Sequence, residues 1–183
     1  MSKDKERILR LTLTAMFLAL GLVLPFLTGQ IPQIGSMLLP MHIPVFLCAL
    51  ICGWQYATPM AFILPILRSL IFSMPPMYPT AAAMAFELAA YAFVAGFIYS
   101  RFKKQGIIPL YISIISAMII GRLVWGAAQM ILLGMSGKAF TFSAFLAGAL
   151  LNAIPGIIVQ LILIPAVMFA LDRAKLIPFK RGE

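Results

Sequence analysis

Charged residues are scarce in this chain. Lys, Arg, Asp and Glu make up only 10% of its 183 residues, whereas 63% of the residues are hydrophobic. A soluble domain carries about a quarter charged residues, because it must cover its surface with polar groups. The shortage of charge therefore excludes a soluble globular domain and indicates an integral membrane protein. The apolar runs do not alternate as outer-membrane barrel strands do, so we predict α-helices.

Residues that supply catalysis or bind metals are also few. The chain has one histidine, two cysteines and five acidic residues. It lacks the HExxH, GxSxG and GxxxxGK(S/T) motifs, so we predict no metal, no cofactor and no ATPase activity of its own. Cys48 and Cys52 stand in one apolar run. We interpret them as small buried side chains rather than as a disulfide or a metal site.

The basic residues give the chain a net charge of +9, but they lie in short clusters beside the apolar runs. Such clusters are typical of topology signals and lipid-headgroup contacts, which argues against nucleic-acid binding. The first apolar run is too long for a signal-peptide core, so we interpret it as retained. Six membrane spans are predicted within a single membrane domain of residues 1–183, at about 8–27, 42–56, 57–73, 80–100, 107–133 and 143–171.

The distribution of Lys and Arg predicts the orientation of these spans. Four of them lie at the start of the chain up to Arg10, three follow the fourth span, and four lie in the C-terminal tail. The connections after the first, third and fifth spans contain only Lys138. Because basic residues mark the cytoplasmic side, both termini and the connection at Arg101 are predicted to be cytoplasmic.

Apart from Arg10, which belongs to the N-terminal basic group, three charged residues lie inside the predicted spans: Arg68, Glu87 and Arg122. Charges at membrane depth cost a few kcal/mol each, so they are rare and usually functional. A rise of about 1.5 Å per residue places all three in the outer half of the bundle. Glu87 is predicted to pair with Arg68 or with Arg122. Two cations against one anion leave a positive surplus, which favours an anionic ligand or a ligand dipole.

Other polar and aromatic side chains are predicted to share a cavity with these charges, open to the outside. Trp125 and Gln129 follow Arg122 on the same helix face. Asn152 begins a stripe at fourfold spacing that includes Gln160. The predicted substrate-binding set within this cavity is completed by two residues at its outer mouth, His42 and Tyr78. The alternative is that Glu87 only forms a structural ion pair that holds helices together.

Three segments resemble a known family of membrane proteins. They are LPMHIPV at 39–45, ICGWQYATPMAFILPILRSLIFSMPPMYP at 51–79 and AMAFELAAY at 83–91. In this order they resemble the substrate-binding S components of energy-coupling factor (ECF) vitamin transporters. The resemblance extends over nearly the whole chain, including its length, six helices, and the pair Ala15 and Ala19 in the first helix.

The resemblance implies an all-α bundle in the bacterial cell membrane that captures a vitamin from outside. It also implies partners: a transmembrane coupling protein and two cytoplasmic ATPases. Ala15 and Ala19 would dock on the coupling protein, since small residues allow close helix approach. The ligand would lie in the outer half, in regions that contain Gln33, Tyr78, Glu87, Arg122, Trp125, Gln129 and Asn152.

The segments HIPV, PPM-P and FEL look most like the branch assigned to pantothenate, hydroxymethylpyrimidine, pyridoxine and folate-type ligands. Together with the positive surplus, this favours pantothenate, with the other three ligands next. Two alternatives from other classes remain. The first is an intramembrane enzyme acting on a lipid or isoprenoid, for which Glu87 or His42 would be the general acid or base. The second is a structural membrane protein without a ligand.

Overall fold

The fold is known from a computed structural model that describes residues 3–28, 37–137, 139, 141–149 and 151–177. In this part of the chain there are no β-strands, and seven α-helices have eight residues or more. They are α1 (Lys3–Val23), α2 (His42–Ile51), α3 (Trp54–Phe72), α4 (Ala82–Arg101), α5 (Ile107–Met135), α6 (Phe142–Ala149) and α7 (Ile154–Arg173). Short turns of 3-10 helix follow α1 and precede α7, and a π-helical turn, Met77–Ala81, leads into α4.

Five apolar segments of the described chain are long enough to cross a membrane. They are Lys3–Phe26, Trp54–Phe72, Met77–Arg101, Ile107–Met135 and Ile154–Arg173. The second predicted span, 42–56, corresponds to α2, which is apolar but only 10 residues long. A perpendicular span needs about 20 residues, so α2 reaches only part of the way through the hydrocarbon core.

Helix α1 begins at Lys3 rather than at about residue 8, and the helix bounds differ from the sequence prediction at two further places. The second predicted span ends at Ile51 rather than at residue 56, because Gly53 adopts a φ of +92° that other residues rarely tolerate. The last predicted span, 143–171, is divided into α6 and α7. Pro155 has no N–H to donate, so it favours the first turn of a new helix over the interior of a longer one.

Helix α4 is the centre of the bundle and packs against α2, α3 and α5. It approaches its neighbours closely because its buried face is rich in small residues. A Cβ on Gly96 would lie 2.8 Å from the backbone nitrogen of Trp54 and 2.9 Å from the carbonyl oxygen of Ala49. Only glycine therefore fits at this crossing without moving backbone. The crossing holds α4 against the turn that joins α2 to α3.

Helix α1 lies at the edge of the bundle, and only Phe17 and Gly21 of its residues are buried. Arg10 Nη1 donates a hydrogen bond of 3.0 Å to the carbonyl oxygen of Cys52, so the start of α1 lies beside the α2–α3 turn. Helix α4 ends at the same side, since Trp54 contacts Phe97. We call this side, which carries the basic residues of 3–10 and 101–104, the basic end of the bundle.

Candidate functional site

Glu87 of α4 is the centre of a buried polar cluster. Glu87 is 1% exposed, and its Oε1 atom accepts a hydrogen bond of 2.9 Å from Arg122 Nη1 of α5. The Tyr91 hydroxyl donates to the same oxygen at 3.3 Å. His42 Nε2, from the start of α2, lies 3.6 Å away, too far for a hydrogen bond. Helices α4, α5 and α2 thus bring a carboxylate, a guanidinium and an imidazole together.

Tyr91 and Gly121 explain why these groups can meet. Tyr91 follows Glu87 by one helical turn and packs edge-on against the His42 ring at 5.1 Å between centroids. A Cβ on Gly121 would lie 2.7 Å from the Tyr91 ring, so glycine at this position makes room for the phenol. Because α5 can approach α4 there, the next residue, Arg122, reaches the Glu87 carboxylate.

Several buried polar atoms of α2, α5 and α7 have no hydrogen-bond partner among the described residues. They are Arg122 Nε and Nη2, Gln129 Oε1, Gln160 Nε2 and both ring nitrogens of His42. Burying an amide group without a partner costs about 1–3 kcal/mol by mutational data, so most proteins avoid it. Unpartnered donors and acceptors on three helices are therefore groups that a polar ligand would satisfy.

The structure does not bring Arg68 into this cluster. Arg68 is 3% exposed and donates through Nη1 to the carbonyl oxygen of Leu22 at the end of α1. Its guanidinium carbon lies 5.2 Å from the centre of the Phe26 ring and 5.3 Å from that of Phe72. Arg68 therefore joins α1 to α3. Glu87 and Arg122 are left as a balanced pair, without the positive surplus expected from the sequence.

Trp125 lies where the short helix α6 rests on α5. Its ring stacks on Phe145, with 6.3 Å between centroids and 28° between planes. A Cβ on Gly148 would lie 2.6 Å from Trp125, and one on Gly126 would lie 2.4 Å from Phe145. On each helix, therefore, a glycine leaves the space that an aromatic ring of the other helix occupies. Trp125 orients α6 over α5 near the polar cluster.

The other predicted residues lie in different parts of the bundle. The Tyr78 hydroxyl donates to the carbonyl oxygen of Leu132, so this residue joins the turn before α4 to the end of α5. Gln129 is buried on the same side of α5 as Arg122. Asn152 is exposed in the turn before α7. Gln33 lies outside the described residues.

Tyr91 was missing from the predicted set, and Gln160 was named only as part of a stripe. Both carried a signal in the sequence. Tyr91 stands one turn after the only carboxylate of its span, on the same face. Gln160 is the first polar side chain of α7 and is 1% exposed. A polar residue within an apolar helix is expected to face the bundle interior.

A bundle of long apolar helices around a buried acid, base and amide groups defines a multi-pass membrane protein with a polar interior site. The model of the family described as ECF transporter, substrate-specific component, matches residues 9–168. This match covers most of the chain, so the chain belongs to that family, and the resemblance inferred from the three sequence segments is confirmed. None of the curated proteins and none of the solved structures compared with the chain matches it. The chain is thus a substrate-specific subunit of a membrane transporter.

Proposed function

We propose that this subunit binds a water-soluble vitamin or precursor from outside the cell at the Glu87–Arg122 cluster. We further propose that it delivers the ligand inward together with a transmembrane coupling protein and two ATPases. The observation that carries the proposal is that Arg122 and His42, which meet at Glu87, keep buried polar atoms without a partner, as do Gln129 and Gln160 of α5 and α7. A purely structural ion pair would not need these additional groups.

The depth of the cluster supports access from the end opposite the basic end. His42 is the first residue of α2, and Glu87 lies five positions after the start of α4. Both helices run toward the basic end: α4 begins near the opposite end, and α2, which is only 10 residues long, begins part of the way through the bundle. Because basic residues mark the cytoplasmic side, the opposite end is on the outside in the proposed orientation.

The geometry of Arg122 supports a carboxylate as the ligand group. Glu87 occupies Nη1, and the unpartnered Nε and Nη2 atoms form one edge of the guanidinium. A carboxylate binds this edge with two parallel hydrogen bonds. We therefore favour pantothenate, on the basis of the open edge rather than of surplus charge. A neutral hydroxymethylpyrimidine or pyridoxine would use Gln129, Gln160 and His42 instead.

The small molecule that co-purifies with the full chain tests the proposal directly. Mass spectrometry is expected to identify a water-soluble vitamin or precursor. Titration calorimetry of ligand-free protein with pantothenate, its uncharged alcohol analogue and pyridoxine then ranks the candidates. Equal affinity for pantothenate and its alcohol would overturn the carboxylate assignment. Turnover of a lipid or isoprenoid by the purified chain would favour the enzymatic alternative.

The proposed orientation predicts a labelling pattern in whole cells. In a background with Cys48→Ala and Cys52→Ala, Pro76→Cys and Gly137→Cys are expected to react with a membrane-impermeant thiol reagent. Lys103→Cys is expected to react only after the cells are opened. All three positions are exposed, so differences in labelling report the side of the membrane rather than burial. Labelling of position 103 from outside would contradict the orientation.

The exposed face of α1 supports docking of the coupling protein. Ala15 and Ala19 are exposed one turn apart, so another helix can approach this face closely. Ala15→Trp and Ala19→Trp are expected to lower uptake and co-purification of the coupling protein by about tenfold or more, because bulk prevents close approach. Ligand affinity of the isolated chain should not change.

Ala127→Trp is the matched control for these variants, because Ala127 is an exposed alanine on α5. It is expected to leave uptake and assembly unchanged. If the α1 variants abolish ligand binding while assembly persists, the docking assignment is wrong.

A further inference from the structure

A second polar recess lies at the basic end, away from the Glu87 cluster. It is an open cleft of about 450 Å³ between the start of α1 and the start of α3. Its lining residues are Lys3, Glu6, Arg7, Arg10, Gln55 and Tyr56. Three cations and one anion therefore face one space at the level where the bundle meets the membrane surface.

The cations of the cleft have different roles. Arg10 Nη2 pairs with Glu6 at 2.7 Å, and its Nη1 donates to the Cys52 carbonyl oxygen at 3.0 Å. Arg10 thus neutralises the single acid of the cleft and fixes α1 to the α2–α3 turn. Within the described residues, Lys3 and Arg7 form no ion pair. Two positive charges of the cleft are thus not held in ion pairs, although Asp4 lies in the same helical turn.

Two helix N-termini add to this positive potential. Gln55 and Tyr56 belong to the first turn of α3, and no side chain caps that turn. The first turn of α1 contributes Lys3 itself. Helix N-termini carry partial positive charge, which acidic residues in the first turn offset. The first turn of α1 contains Asp4 and Glu6, whereas the first turn of α3 contains no acid. An anion in the cleft would therefore be favoured mainly by the uncapped start of α3.

An apolar surface continues directly from the cleft. Lys3, Arg7 and Leu11 follow one another at intervals of one turn and share a face of α1. Leu11 is 53% exposed, and the neighbouring Ile8 is 62% exposed. A molecule with an anionic group in the cleft would therefore place its next atoms along an exposed apolar helix face, at the depth of lipid acyl chains.

We propose that this cleft binds the phosphate-bearing headgroup of an anionic membrane lipid. Basic recesses between helices at the cytoplasmic surface have the chemistry for such headgroups. The phosphate would contact Lys3 and Arg7, and the acyl chains would follow Leu11 and Ile8. The exposed apolar face favours a lipid over a free phosphate, which has no apolar part. This site is independent of the transported ligand.

The test uses the purified full chain in a neutral detergent, titrated with short-chain phosphatidylglycerol, short-chain phosphatidylcholine and inorganic phosphate. Phosphatidylglycerol is expected to bind and phosphatidylcholine is not. The double variant Lys3→Gln, Arg7→Gln is expected to lose about thirtyfold in affinity, since each basic residue near an anionic headgroup contributes about fivefold. Arg10 is kept, because it holds the fold at this position.

The matched control is Lys103→Gln, Lys104→Gln, which removes the same charge from the same end outside the cleft. It is expected to bind phosphatidylglycerol like the unmodified chain, with thermal unfolding measured for both variants to confirm folding. Equal losses in the two variants would show diffuse attraction and overturn the proposal. Equal affinity for both lipids would overturn it as well. If inorganic phosphate binds as tightly as phosphatidylglycerol, the ligand is a free phosphate and the lipid assignment is wrong.

Discussion

Arg122→Ala is expected to weaken binding of a carboxylate ligand by about 3 kcal/mol, roughly a hundredfold. The variant removes both atoms of the open guanidinium edge, and it also leaves the buried Glu87 carboxylate without its 2.9 Å partner. Titration calorimetry on ligand-free protein measures the loss. An affinity for pantothenate within error of the original would contradict the assignment of Arg122.

Two further variants separate the loss of the open edge from the loss of charge. Arg122→Lys keeps the positive charge beside Glu87 but cannot offer two parallel donors, so it is expected to restore only part of the affinity. The double variant Glu87→Gln, Arg122→Gln removes both charges of the pair, so neither is left unpaired at the cluster. If the double variant still binds the carboxylate tightly, the pair is structural. For a neutral ligand, Glu87→Gln should cost more affinity than neutralising Arg68, which lies outside the cluster.

Gly96→Ala is expected to destabilise the protein by about 3 kcal/mol, at the upper end of overpacking costs. The added Cβ would meet backbone atoms of Trp54 and Ala49 at 2.8 Å and 2.9 Å, and backbone cannot move aside as a flexible side chain can. The displaced α4 carries Glu87, so ligand affinity should fall as well. Thermal unfolding in detergent, followed by circular dichroism, measures the change in stability.

Gly134→Ala is the matched control for this variant. Gly134 also lies in a long helix, and a Cβ there would meet nothing within 4 Å. Alanine forms helices better than glycine by up to about 1 kcal/mol, so this variant is expected to be neutral or slightly stabilising. If both variants behave alike, the close contact at Gly96 does not limit the packing of α4.

The main features of the fold could be predicted from the composition and from the lengths of the apolar runs. A chain so poor in charge has no alternative to membrane helices, and the extent of α5 matches its prediction within two residues. The ends of α2 and α6 were harder to predict, because they depend on local backbone geometry at Gly53 and Pro155. An uninterrupted apolar run contains little information about where one helix stops and the next begins.

The candidate site was predictable where a residue is both polar and inside a span. Glu87 and Arg122 meet this condition, and they lie together in the structure. Arg68 meets it too, but its partners are a backbone carbonyl and two rings. No sequence pattern marks a carbonyl oxygen at the end of α1 as an acceptor. The partner of a buried cation therefore cannot be predicted without the relative positions of the helices.

Because α2 is short, the membrane voltage acts on a charged ligand that reaches His42. Ten residues rise about 15 Å, so with its last turn at the basic end α2 places His42 near the middle of a hydrocarbon core of about 30 Å. In the proposed orientation, a solute that reaches His42 from outside has crossed about half of the insulating layer. For a singly charged anion in a cell with a negative interior, each 100 mV opposes this step by about 1 kcal/mol. A neutral solute meets no such opposition, so a membrane voltage would select between the two ligand classes at the binding step itself.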